Sequence, residues 1–238
     1  MKLNDKLFWR FPNILFIHGI VGNCSIFKFL LPYLPEGSNV KFMNLEGHGG
    51  DALAFSKTSM SVWRKQVEEA VDEIKENGPV AIVAHSMGCL LALEQASMGK
   101  IDRLFLLNPP LKIRIHWRMF ANAIKVITGH YKHDPIASAA KDSYGISMDF
   151  NPLHYYGWPA RYLELFTYIA KIRKLQPKVM NRSYAFLAAN DEMVSVQSKD
   201  WIERWDNFTS IILSSSNHYY YSDQDRNLIA NCFKNKFL

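Results

Sequence analysis

Residues 80–88 read Val-Ala-Ile-Val-Ala-His-Ser-Met-Gly. The first five are small or branched apolar residues with no polar alternation, which predicts a strand covered on both faces. The next stretch, Met87 to about Ser97, predicts a helix. A serine at such a junction sits on a sharp turn with its hydroxyl pushed out beyond the sheet edge. The turn needs small residues two before and two after the serine, and Ala84 and Gly88 meet that need. The helix then aims its free N–H groups and positive dipole end at the hydroxyl. Ser86 is therefore the candidate nucleophile.

Outward from this junction, short apolar runs alternate with helical patterns. Strands are predicted at Asn13–Ile17, Val40–Asn44, Arg103–Leu107, Ser183–Ala189 and Thr209–Leu213. A short helix is expected at Ile26–Leu34. From Val62 to Asn77, Trp63, Val67, Ala70, Val71 and Ile74 share one helical face, and Asn77-Gly78-Pro79 stops that helix. Further helices are expected near Ser198–Trp205 and from Ser222, which is placed to cap the last one. This alternation predicts an α/β chain with a mostly parallel sheet flanked by helices. The alternation breaks at 109–182, a stretch rich in aromatic residues with helical patterns at Trp117–Ile127 and Pro159–Lys174. The expected organisation is a sheet domain of residues 1–108 and 183–238 carrying a helical cap at 109–182.

A serine needs a base to take its proton and a carboxylate to orient that base. Of eight histidines, His18 and His85 lie inside motifs, His48 lies in a glycine-rich loop, and His116, His130, His133 and His154 lie in the insertion. Only His218 follows the last strand, and loops after parallel strands open on one edge. The same geometry selects Asp191, with Glu192 as fallback. The order Ser86, Asp191, His218 is that of nucleophile, acid and base in one class of α/β enzymes. For the oxyanion, the expected donors are the backbone N–H groups of Met87 and of Ile20, with Gly19 the second choice.

With 238 residues, 48% hydrophobic and 21% charged, the chain is long enough to fold around its own core, and disorder is excluded as its main state. Three widely spaced cysteines argue for a reducing compartment and against a zinc cluster. No apolar run is long enough to cross a bilayer, and MKLNDKLFWRF does not read as a signal peptide, so a cytoplasmic protein without an integral membrane segment is expected. The net charge of +6 is concentrated: residues 109–182 hold 12 basic and 4 acidic groups, and the remainder carries −2. A basic insertion on a near-neutral body does not suggest a nucleic-acid partner. It suggests a solvated face, or tolerance of anionic acyl groups.

The chain resembles the α/β-hydrolase superfamily in FIHGI (16–20), LEGHG (45–49), VAHSMGC (83–89), LLNPP (106–110), AANDEMVS (188–195) and Asn217-His218. Within it, the chain looks most like small bacterial carboxylesterases and monoacylglycerol-lipase-like proteins. It departs at Ala84, where the pattern usually has Gly. The resemblance implies a Ser86–Asp191–His218 triad, oxyanion donors Ile20 and Met87, a cap after the sixth core strand, and no metal or organic cofactor. It implies a serine carboxylesterase or lipase-like hydrolase acting on a small-molecule ester of small or medium acyl chain. The alternatives are a thioesterase, acyltransferase, C–C hydrolase or lyase on the same triad, or a non-catalytic binding protein of this fold. Met119, Met148 and Met180, with the insertion's aromatics, are expected either to line an acyl pocket or to form the cap's own core.

Overall fold

The computed structural model describes residues 13–237, so the N-terminal stretch weighed above lies outside the described residues. Six strands form one sheet: β1 (Asn13–Ile17), β2 (Asn39–Phe42), β3 (Val80–His85), β4 (Arg103–Leu107), β5 (Ser183–Ala188) and β6 (Phe208–Leu213). Their order is β2-β1-β3-β4-β5-β6, and every pairing is parallel. All residues of β1, β3 and β5 are buried, whereas the edge strands β2 and β6 are partly exposed. Continuous apolar runs in the centre and mixed ones at the edges follow from coverage on both faces.

Alternate side chains feed two cores. Leu15, Ile17, Ile82, Ala84, Leu104, Leu106, Ala185 and Leu187 pack on one face against α2 (Met60–Lys75), α3 (Met87–Ser97) and α6 (Trp158–Ile172). Ile14, Phe16, Val83, Phe105, Leu107 and Phe186 meet the 3₁₀ segment Cys24–Tyr33, α8 (Asp223–Cys232) and the turn Phe233–Phe237. As expected, Ser222 caps α8 by accepting from the Asp225 N–H.

Between β4 and β5 lie α4 (Trp117–Ile127), α5 (Pro135–Ser143), a 3₁₀ turn at Pro152–Tyr155 and α6. This segment follows the fourth described strand, where the resemblance names the sixth. Three elements depart from the sequence expectation. Ala52–Lys57 forms α1 and Pro135–Ser143 forms α5, both unpredicted, because their buried faces rest on small residues such as Ala52, Ala137 and Ala140 that leave little hydrophobic period. The helix expected near Ser198–Trp205 shrinks to a 3₁₀ turn and α7 (Lys199–Ile202), since Asn207 at φ 64° must turn the chain into β6. No helix among the described residues is long and apolar enough to cross a membrane.

One buried polar cluster ties three helices together. Glu94 of α3, 3% exposed, takes a bidentate pair of bonds from Arg64 of α2, both 2.7 Å. It also accepts from Lys171 at 2.7 Å and from the Tyr168 hydroxyl at 2.9 Å, both on α6. Burial alone would raise the Glu94 pKa, but these donors outweigh it and hold the carboxyl below its ordinary value. Glu94→Ala should lower unfolding stability by about 2–3 kcal/mol, because Arg64 and Lys171 can turn to solvent but the buried Tyr168 hydroxyl keeps only its longer bond to the Leu90 carbonyl, at 3.4 Å. The deficit, read by denaturant titration, should narrow in acid, where the wild type loses this contribution as pH falls through the depressed pKa. An unchanged midpoint at pH 7 would show the cluster to be energetically neutral.

Candidate active site

The C-terminal ends of β1, β3, β4, β5 and β6 lie at one edge, and each contributes to a single constellation. Ser86 lies between β3 and α3 at φ 50°, ψ −123°, a conformation few non-glycine residues hold. The reason is steric. A Cβ on Gly88 would stand 2.3 Å from the Ile17 carbonyl oxygen, so the turn must bring the α3 backbone directly onto β1. A Cβ on Gly19 would stand 2.9 Å from the Ser86 Cβ, so the loop after β1 presses against the serine itself. Ala84, where the resemblance expects Gly, is fully buried in β3.

His218, wholly buried, places Nε2 3.1 Å from Ser86 Oγ and Nδ1 2.7 Å from Asp191 Oδ2. With the proton on Nδ1, Nε2 accepts from the serine hydroxyl. Asp191 is fixed on its other oxygen, where Oδ1 accepts from the Met193 and Val194 N–H groups, each at 2.7 Å. Burial depresses the His218 pKa, but the Asp191 carboxylate, by charge and hydrogen bond, and then Glu192 outweigh it and leave the pKa above 6.5. Glu192, the fallback acid, does not touch the ring. Its Oε2 accepts from the His218 backbone N–H at 3.4 Å and its Oε1 from Asn122 Nδ2 at 3.2 Å.

The Ile20 and Met87 N–H groups donate to no partner among the described residues. The loop carrying Ile20 is braced by two neutral histidines. His18 donates from Nδ1 to the Gly19 carbonyl at 2.8 Å and accepts from the Leu45 N–H at 3.2 Å. His48 accepts from the Val21 N–H at 3.1 Å. Burial lowers the first to about 4 and the second, with help from His18, to about 3. His85 donates to the His218 carbonyl at 3.0 Å, and burial holds its pKa well below 6.5. Of the insertion's histidines, His116 caps α4, and His154 bonds Asp149 at 2.7 Å. None joins the constellation.

Two supports escaped the sequence analysis. His48 appeared only as part of a glycine-rich loop, yet it fixes the residue after Ile20. Asn108 follows β4 at φ 51°, accepts from the Ala188 N–H at 2.8 Å and donates to the His218 carbonyl at 3.2 Å. It joins the strand end that carries Asp191 to the loop that carries His218. Asn is one of the few non-glycine residues that hold a positive φ, and an Asn closing a strand within LLNPP is the signal that marks it.

A cavity of about 220 Å³ opens beside these groups, with Ile20, Met119, Met148, Met193 and several aromatic rings in its wall. Met119 and Met148 both border this space, Met148 while also packing against the core, and Met180 is 80% exposed and lies elsewhere. No lysine, arginine or histidine lines this cavity, so the basic charge of 109–182 is not directed into it. Among the described residues no three His, Cys, Asp or Glu side chains are grouped as metal ligands would be.

Residues 14–230 match the sequence model of the alpha/beta hydrolase family. The chain belongs to that family. No curated protein sequence matches it significantly. Solved structures agree on the fold at low identity. One is a metagenome-derived lipolytic enzyme of the LipS and LipT pair, 18% identical over 92% of this chain and 90% of that one, with a TM-score of 0.69. Another is monoglyceride lipase from Saccharomyces cerevisiae, 16% identical over 94% and 85%, TM-score 0.64. A third is the thioesterase domain from the curacin biosynthetic pathway, 16% identical over 93% and 90%, TM-score 0.61. At such identity the alpha/beta hydrolase likeness speaks for the scaffold, and the chemistry must be argued from the side chains.

Proposed function

We propose that this protein is a serine hydrolase that cleaves carboxylic esters of small or medium acyl chain through an acyl-enzyme. The observation that carries this reading is the continuous relay from Ser86 Oγ to His218 (3.1 Å) to Asp191 (2.7 Å), within a buried edge that also holds two unpaired backbone donors. His218 takes the serine proton as Oγ attacks the ester carbonyl. The resulting imidazolium is stabilised by Asp191, and the oxyanion by the Ile20 and Met87 N–H groups. Each such donor contributes about 3–4 kcal/mol to the transition state. His218 then protonates the departing alcohol, and water activated by the same imidazole releases the acid.

Residues 109–182 act as a cap over this edge in the same reading, and the cavity they help to wall receives one arm of the ester. Its size favours short or medium chains over bulk lipid. The test is labelling by a fluorophosphonate probe, followed by a panel of p-nitrophenyl esters and acyl-CoA thioesters. Labelling with faster turnover of the oxygen esters is expected. A clear thioester preference would move the assignment toward thioesterase chemistry, which the curacin neighbour makes the second reading. No labelling of folded protein would remove the catalytic reading altogether.

A further inference from the structure

The cavity bordered by Ile20 and Tyr219 has an unusual wall. Five aromatic rings, Phe120, Tyr144, Trp158, Tyr162 and Tyr219, share it with one carboxylate, Glu192. Glu192 is 4% exposed, yet its oxygens receive only the Asn122 amide at 3.2 Å and one backbone N–H at 3.4 Å. No lysine or arginine forms an ion pair with it among the described residues. The hydroxyls of Tyr144, Tyr162 and Tyr219 form no hydrogen bond among the described residues, and none of the three oxygens is sealed from solvent. Tyr219 stands edge-on to Tyr144, with centroids 5.7 Å apart, and edge-on to His218 at 4.8 Å. After burial, the nearby Tyr144, Tyr162 and Glu192 raise the Tyr219 phenol further, so these groups share one electrostatic environment in which the phenol stays neutral.

Such a wall is poorly suited to a plain hydrocarbon chain. An alkyl group would strip water from Glu192 and offer nothing in return, and a buried carboxylate without a cation is costly. A compact cation would satisfy both features at once. Aromatic faces attract positive charge through their quadrupole, and the effect strengthens where water is excluded. Ile20, which borders the cavity, also carries one of the unpaired N–H groups, so the cavity adjoins the oxyanion position of that reading.

We propose that this cavity is a cation subsite and that the preferred esters carry a compact ammonium or quaternary ammonium group in the arm that enters it. The proposal rests on the serine-ester reading and narrows it to a substrate class. It also replaces the expectation that the basic insertion tolerates anionic acyl groups, since the cavity wall holds Glu192 and no lysine, arginine or histidine.

Two isosteric pairs test it, one with the cation in the alcohol and one with it in the acyl group. They are acetylcholine against 3,3-dimethylbutyl acetate, and glycine betaine ethyl ester against ethyl 3,3-dimethylbutanoate, each rate divided by its hydroxide-catalysed rate. In at least one pair kcat/KM should favour the cation by about 10-fold or more. Glu192→Gln and, on a separate helix, Tyr162→Leu should each pull that ratio toward one. Ratios of one or less in both pairs, or a ratio that neither variant moves, overturn the proposal, as does a stronger preference for the glycerol ester monoacetin. Calorimetric titration of the Ser86→Ala protein with tetramethylammonium and with neopentyl alcohol needs no turnover. Saturable binding of the cation alone, weakened by Tyr162→Leu, supports the subsite even if no ester is cleaved. No binding, or equal binding of the alcohol, overturns it. Failure of fluorophosphonate labelling would instead remove only the ester reading.

Discussion

On the proposed function, Ser86→Ala should lower kcat by about 10⁴–10⁶ and leave the folded state intact. The loss is large because the relay has no substitute at its head. Among the described residues His218 Nε2 has one hydrogen-bond partner, the Ser86 hydroxyl, and an alanine there leaves only water to attack. Folding survives because alanine changes little else. The Ser86 side chain makes no helix-capping bond, and its N–H continues to donate to the Leu107 carbonyl at 2.9 Å. The strained φ of 50° is imposed by the contact of α3 with β1, which alanine at 86 does not alter. Steady-state ester hydrolysis, fluorophosphonate labelling and the thermal transition together check this. A variant that keeps near-normal rates would show the nucleophile to be another group.

Asp191→Asn should cost on the order of 10⁴ in kcat, for a reason that lies in its hydrogen bonds. Oδ1 of Asp191 accepts from two backbone N–H groups at 2.7 Å, so in the variant the amide oxygen must take that position. The amide nitrogen is then turned toward His218 Nδ1 and donates to it. The imidazole proton moves to Nε2, which can no longer accept from Ser86. The pH profile supplies a second readout. In the wild type the carboxylates hold the His218 pKa above 6.5 against the pull of burial. The protonated ring cannot act as base, so the acid limb of kcat/KM should lie above pH 6.5. In the variant the principal opposing charge is gone, burial prevails, and the limb should move to lower pH. An acid limb that stays in place, with activity merely scaled, would mean that Asp191 is not what holds the imidazole.

The strand over 80–84 and the helix after Ser86 were legible because an unbroken β-branched run and a serine flanked by small residues have few other uses. Arg103–Leu107 and Ser183–Ala188 were legible for the same reason. The insertion was less so. Its α5 is seated through alanines, and α4 buries no residue at all, leaving Trp117 and Ile124 more than half exposed. Hydrophobic period there reports a surface rather than a core, and the sequence offers no sign of which side faces the sheet edge.

By itself, the sequence determined the parallel sheet, the edge where chemistry gathers, and the choice of Ser86, Asp191 and His218 as candidates. These follow from local rules: apolar continuity, turn sterics, and the fact that loops after parallel strands share one edge. Only the tertiary structure decided that Asp191 rather than Glu192 meets the imidazole. Two adjacent carboxylates differ by the direction of one Cα–Cβ bond, and that direction is set by the turn locked through the Met193 and Val194 N–H groups. It alone also turned Glu192 toward Asn122 and an aromatic wall drawn from residues 120, 144, 158, 162 and 219. Such a meeting has no period and no motif, because it is produced by long-range packing of segments whose separation along the chain carries no record of their distance in space.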